Sequence, residues 1–226
     1  MESQTHKPFP SMTPTVRAWL RRHALTVGVI VILICIECLL TGADLGLWGD
    51  RRWRAWAFVQ FSFRPIMWEM GWEFWPGQRI GMLLTHIFVH VGFFHMAGNV
   101  LSLALLLRLL GWLRSWAFLG VGLVAALGGA FAFWAFTPVA ASMTGASGAI
   151  SGLAAFWIVR RLRQNPVRWK AIAAGLVLFT VLVALEALPG IATAWQAHLG
   201  GAVPGAAISV LYKRRPRRSA PDSQRR

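Results

Sequence analysis

Six stretches of the chain, at roughly 24–41, 82–108, 112–136, 147–162, 171–188 and 193–212, are apolar for nearly the length that a membrane-crossing helix needs. A hydrocarbon core about 30 Å thick takes about 20 mostly apolar residues per helix. Lipid offers no partner to an open backbone N–H or C=O, so helices are the economical way to cross it. Composition points the same way: of 226 residues 56% are hydrophobic, 14% are charged and 13 are Trp, which leaves too little polar surface for a soluble domain of this size. The expectation is an all-α polytopic membrane protein with one six-helix domain over 24–212, an N-terminal segment 1–23 and a basic tail 213–226. The first stretch follows Arg17, Arg21 and Arg22 as a secretory signal would, but no small-x-small cleavage site comes after it, so it reads as a retained anchor.

The formal net charge is +15, from 23 Lys and Arg against 8 Asp and Glu. In a soluble protein that excess would suggest nucleic acid. Here the basic residues lie at the ends of apolar runs and in the tail KRRPRR at 213–218, where the positive-inside rule puts them, so no nucleic-acid partner is expected. If the N-terminus is cytoplasmic, 18 of the 23 fall on the cytoplasmic side and five, Arg51, Arg52, Arg54, Arg64 and Arg79, fall in the long first loop, 44–81. This bias predicts cytoplasmic N- and C-termini, with the uncharged loops 137–146 and 189–192 outside. The first loop carries WRAWAF, Trp68, Trp72 and WEFWPG, a Trp-rich and mixed-charge sequence suited to the headgroup layer, and is expected to lie on the membrane surface among its lipids. Cys35 and Cys38 form a nominal C-x-x-C inside the first apolar run, with no second Cys pair, and read as packing or lipid-facing residues.

Polar residues inside the apolar stretches are few, and such residues are costly in a bilayer and usually functional. They fall into HIFVHVGFFHMAGN at 86–99, GASGAISG at 145–152, AHLGGAVPG at 197–205, and the isolated Glu37 and Glu186. Depth follows from counting back from the basic residue that ends each segment. Arg108 to His95 and Arg160 to Ser147 are each 13 residues, about 20 Å of rise, and Lys213 to His198 is 15 residues, about 22 Å. Three polar residues from three segments therefore reach one level. Ser147 is flanked by Gly145 and Gly148 at the start of its segment, where free N–H groups and the helix dipole favour negative charge. Taken alone, GASG reads sooner as a small-residue packing face. Gly201 and Gly205, four residues apart, give the segment of His198 a face that can approach another helix closely. If that helix begins at Ser147, the imidazole can take the hydroxyl proton.

His95 and Asn99 are four residues apart, on one face of a helix, and both can donate to an oxyanion together with the backbone around Ser147 and Gly148. Asp occurs only at 44, 50 and 222, so a Ser-His dyad is expected rather than a triad. His86, His90 and His95 space as H-x3-H-x4-H but lack a thiolate, a carboxylate or an H-E-x-x-H to complete a ligand set, so neither a metal nor any other cofactor is expected. Glu37 and Glu186 each read as a hydrogen-bonded structural carboxylate or as a proton-handling group.

From about Gly81 to Tyr212 the chain resembles a rhomboid protease of the basic six-helix bacterial kind, through HVGFFHMAGN, GASG and AHLGGAVPG in that order and spacing. The resemblance implies Ser147 as nucleophile, His198 as general base, and His95 and Asn99 as oxyanion donors. It also implies structural support from His86 and His90, and a close helix contact through Gly201 and Gly205. The implied activity is intramembrane cleavage of single-pass transmembrane substrates, in a bacterial inner membrane. One departure stands out: the family often has a Trp-Arg pair just before the second helix, and those positions are Gly81 and Met82, with Trp75 and Arg79 nearby. The conformation of the first loop is therefore the open point. Two other readings compete, a non-cleaving relative that binds membrane helices and a small transporter. The presence of all the matching residues weighs against the first, and the absence of an inverted repeat against the second.

Overall fold

The computed structural model describes residues 14–164, 173 and 194–212. Its helices are α1 (Pro14–Asp44), α2 (Trp53–Phe61), α3 (Pro65–Met70), α4 (Gln78–Thr85), α5 (Phe93–Leu109), α6 (Ser115–Phe136), α7 (Ser147–Gln164) and α8 (Trp195–Leu211). A 3-10 turn, His86–Phe88, follows α4. Among the described residues the extended structure amounts to one isolated antiparallel bridge, Phe63 to Met143. By length and composition α1 and α6 can each cross a membrane, and α4 with its 3-10 turn joins α5 as a third candidate, bent by 81°. The fifth expected segment, 171–188, and Glu186 with it lie outside the described residues.

The expected second helix, 82–108, is not one helix. It breaks between Phe88 and Phe93, so His86 sits on the 3-10 turn, His90 in the connecting segment, and His95 alone of the three on α5. The break has a hydrogen-bonding reason. The His86 carbonyl accepts from the Gly145 N–H at 2.8 Å and the His90 carbonyl from Arg54 Nη1 at 2.8 Å, so tertiary partners replace the next helical turn. The first helix is longer than its apolar stretch, continuing to residue 14 on one side and 44 on the other. Cys35 and Cys38 are exposed on its surface.

Lipid tails are as apolar as leucine, so helices in a membrane associate through close packing rather than through the hydrophobic effect. The block α6–α7–α8 is built on that rule. A Cβ added at Gly201 would lie 2.1 Å from the Gly148 carbonyl oxygen, and one at Gly205 would lie 2.0 Å from that of Gly152. The constant offset means that α7 and α8 run parallel. The other face of α8 is also close: a Cβ at Gly129 would meet the Ala197 carbonyl oxygen at 2.8 Å, and one at Gly128 that of Gly200 at 2.5 Å. Pro204 cannot donate to the Gly200 carbonyl from one turn on, which leaves that oxygen to face α6. Bulkier packing, through Leu33, Leu106, Phe118, Leu153 and Phe156, joins α1 and α5 to this block. A buried polar clasp adds to it, with Thr26 Oγ1 donating to Ser115 Oγ at 3.2 Å and Ser115 Oγ to the Arg22 carbonyl at 3.1 Å.

The first loop is largely helical, with α2, α3 and the start of α4 folded against the bundle. Gln78 is fully buried there; it donates to the Gln60 carbonyl at 2.9 Å and accepts from the Phe74 N–H at 2.8 Å. Where the Trp-Arg pair is missing, the ring of Trp75 covers Gly81 so closely that a Cβ would lie 2.7 Å from it. Arg79 pairs with Glu73 at 2.9 Å. That arginine, with the N–H groups of Gly77 and Arg79, holds the Glu73 carboxyl below its usual range.

Candidate functional site

Ser147 is the first residue of α7, so its N–H and that of Gly148 lie in the turn whose donors have no intrahelical partner. The chain enters this turn through Gly145, whose φ of +96° favours glycine. Space requires glycine there as well, because a Cβ would lie 2.6 Å from His95 Cε1 and 2.8 Å from Nε2. The His95 ring therefore rests on the backbone two residues before Ser147.

Behind it the other histidines buttress the turn. The His90 ring meets that of His95 edge-on at 5.0 Å. His86 pairs Nδ1 with the Met82 carbonyl at 2.8 Å and packs against Phe63. Phe63 in turn exchanges both backbone hydrogen bonds with Met143, each at 2.9 Å, and Ile66 donates to the Val139 carbonyl at 3.1 Å. The first loop thus grips the segment that delivers Ser147.

His198 lies in the first turn of α8, buried, one turn before Gly201. The contact between Gly201 and Gly148 draws that turn onto the start of α7, so that a Cβ at Gly148 would lie 3.5 Å from the Ala197 carbonyl oxygen. His95, Asn99 and His198 are buried, whereas Ser147 is half-buried. Asn99 uses one of its two amide hydrogens on the His95 carbonyl, at 2.9 Å. The structure thus brings Ser147, Gly148, His95 and His198 to one end of the helical block, with Asn99 one turn along α5 and Gly145, Gly201 and Gly205 at the points of closest approach. His86 and His90 stand behind, off the α5 helix.

Two participants escaped the sequence reading. Arg54, on α2, donates to both oxygens of the buried Glu37, at 2.8 and 3.2 Å, to Thr41 Oγ1 at 3.1 Å and to the His90 carbonyl, and also pairs with Asp44. It ties the segment carrying His90 to α1 and gives Glu37 a structural partner. The signal was available, since a carboxylate at membrane depth needs a cation and the first loop holds the nearest arginines. The Phe63–Met143 bridge had no such signal, because two isolated residues carry no periodicity.

A helical membrane protein whose closely packed small-residue helices bring a serine and histidines to one end defines a recognisable class. Within that class the rhomboid-domain family model matches residues 71–215, well over half of the chain. The chain belongs to the rhomboid family, whose members are in general intramembrane serine proteases. No curated protein matches it.

Proposed function

We propose that this rhomboid-family protein is an intramembrane serine endopeptidase with a Ser147–His198 dyad. The observation that carries the reading is the Gly148–Gly201 contact, which sets the turn bearing His198 against the start of α7. Ser147 Oγ attacks the scissile carbonyl carbon while His198 takes its proton. The tetrahedral oxyanion accepts from the N–H groups of Ser147 and Gly148 and from the side chains of His95 and Asn99. Collapse breaks the C–N bond, His198 returns the proton to the leaving amine, and water then hydrolyses the acyl-serine by the same route. A dyad fits the surroundings, since Glu37, Asp44, Asp50 and Glu73 are all engaged by arginines elsewhere.

A transmembrane helix hides its carbonyls in hydrogen bonds and must unwind before a serine can attack it. The small residues around Ser147 leave little room for a bulky side chain beside the scissile bond. The proposed substrates are single-pass proteins cut after a small residue near the outer end of the segment, where Gly, Pro or polar residues weaken the helix. The test is labelling of the detergent-solubilised protein with a serine-directed fluorophosphonate. Wild type is labelled and Ser147→Ala and His198→Ala are not. Equal labelling of wild type and Ser147→Ala would sink the assignment and leave a relative that binds membrane helices without cutting them.

A further inference from the structure

The last turn of α7, at the end of the bundle away from Ser147, borders a cavity of about 120 Å³ lined by Leu110, Trp112, Trp157, Arg160, Arg161 and Gln164. Among the described residues its lining holds two guanidiniums and no carboxylate. Arg160 stacks against Trp112 and Tyr212, 5.7 and 5.8 Å from the ring centroids, and donates Nη1 to the Tyr212 carbonyl at 2.9 Å. Arg161 stacks on Trp157 at 5.8 Å. Stacking fixes a guanidinium plane and leaves its N–H edge open. Arg160 Nε and Trp157 Nε1 are buried, and neither has a hydrogen-bond partner among the described residues. Two orphaned buried donors on residues that line one cavity are costly unless an acceptor reaches them.

The cavity calls for an anion. A single water needs only about 10–15 Å³, so the space admits a larger group. The carboxyl ends of α5 and α7 adjoin it and oppose an anion by about half a charge each. Arg160, Arg161 and Arg163, the last bonded to the Ser209 and Val210 carbonyls, outweigh them. Trp116 and Leu211, at the same end, expose apolar surface fit for acyl chains.

We infer that this cavity is a binding site for the phosphodiester of an anionic phospholipid headgroup. Basic pockets between transmembrane helices are suited to such lipids, and the surrounding tryptophans belong at headgroup depth. The test is native mass spectrometry of the full chain released from micelles doped with equal amounts of phosphatidylglycerol and phosphatidylcholine. The expected result is phosphatidylglycerol retained about tenfold over phosphatidylcholine. Arg161→Gln and Trp157→Phe each lose about tenfold of that retention, as removal of a bond to a charged group does. Arg51→Gln, an exposed arginine of the first loop, keeps it, and millimolar inorganic phosphate leaves it unchanged. Equal retention of the two lipids overturns the inference, as do wild-type retention in both cavity variants, an equal loss in Arg51→Gln, or displacement by inorganic phosphate, which would assign the site to a soluble anion.

Discussion

A single methyl group at Gly201 tests whether helix approach sets the site. In Gly201→Ala the new Cβ would sit 2.1 Å from the Gly148 carbonyl oxygen and 2.9 Å from its carbon, where ordinary contact begins at 3.4 Å. Both neighbours are backbone, so no rotamer change relieves the overlap, and α7 and α8 must part by about 1.3 Å at that level, the difference between 3.4 and 2.1 Å. Overpacking of this kind costs about 1–3 kcal/mol. His198 lies one turn above, and a misplacement of about 1 Å costs on the order of 10²-fold in rate. Gly28→Ala is the control, since a Cβ there meets nothing within 4 Å. Thermal unfolding in detergent and the rate of fluorophosphonate labelling are measured on both. Gly201→Ala unfolds at a lower temperature and labels about 100-fold more slowly, whereas Gly28→Ala matches wild type on both measures. A Gly201→Ala protein with wild-type stability and labelling would refute the view that this contact positions His198.

Three further outcomes follow from other contacts. Arg54→Gln strands the buried Glu37 carboxylate, at a cost of about 3–5 kcal/mol; Glu37→Gln in the same chain recovers much of it, and additive losses in a double-mutant cycle by thermal unfolding would contradict the pairing. Because the Glu73 carboxyl is held below its usual 4.5, its support of the 73–79 turn is present above that pH and lost as pH falls through the lowered value; amide protection in the turn, corrected for the intrinsic pH dependence of exchange, therefore falls in acid, and in Glu73→Gln that corrected protection no longer changes with pH. The distribution of Lys and Arg predicts cytoplasmic termini, for which a reporter fused after Arg226 is active in the cytoplasm alone; activity on the outer side would reverse that orientation.

The elements that were legible in the sequence share a physical cause, long apolar runs with sparse polar residues. Such runs announced α1, α6, α7 and α8 to within a few residues at most ends, the main exception being the amino end of α1, which carries an additional basic stretch. The break between α4 and α5 stayed hidden because it depends on partners for the His86 and His90 carbonyls that lie 59 residues ahead and 36 behind, at Gly145 and Arg54. Spacing placed His95 and Asn99 on one helical face but also drew His86 and His90 onto the same helix, because a histidine pattern does not register a change of backbone direction. The glycines were readable as a small-residue face. That α8 carries two such faces, one to α7 and one to α6, was not, because the second is marked on α8 by Gly200 alone, where a Cβ would lie 2.4 Å from the Ala132 Cβ, and a single glycine gives no spacing to read.

Those two faces determine what can move. A helix seated by backbone contact on opposite sides can neither slide nor tilt without breaking both seams at once, so α6, α7 and α8 behave as one fixed frame. Any opening that admits a polypeptide to Ser147 must then be made by parts outside that frame. Among the described residues outside the frame, α5 reaches the site through His95 and the first loop reaches it through the Phe63–Met143 bridge. Since that loop carries six of the 13 tryptophans, a side chain suited to headgroups, the bridge would give the surrounding bilayer a mechanical handle on the turn before Ser147, and under the proposed function activity would depend on the membrane as well as on the protein's own packing.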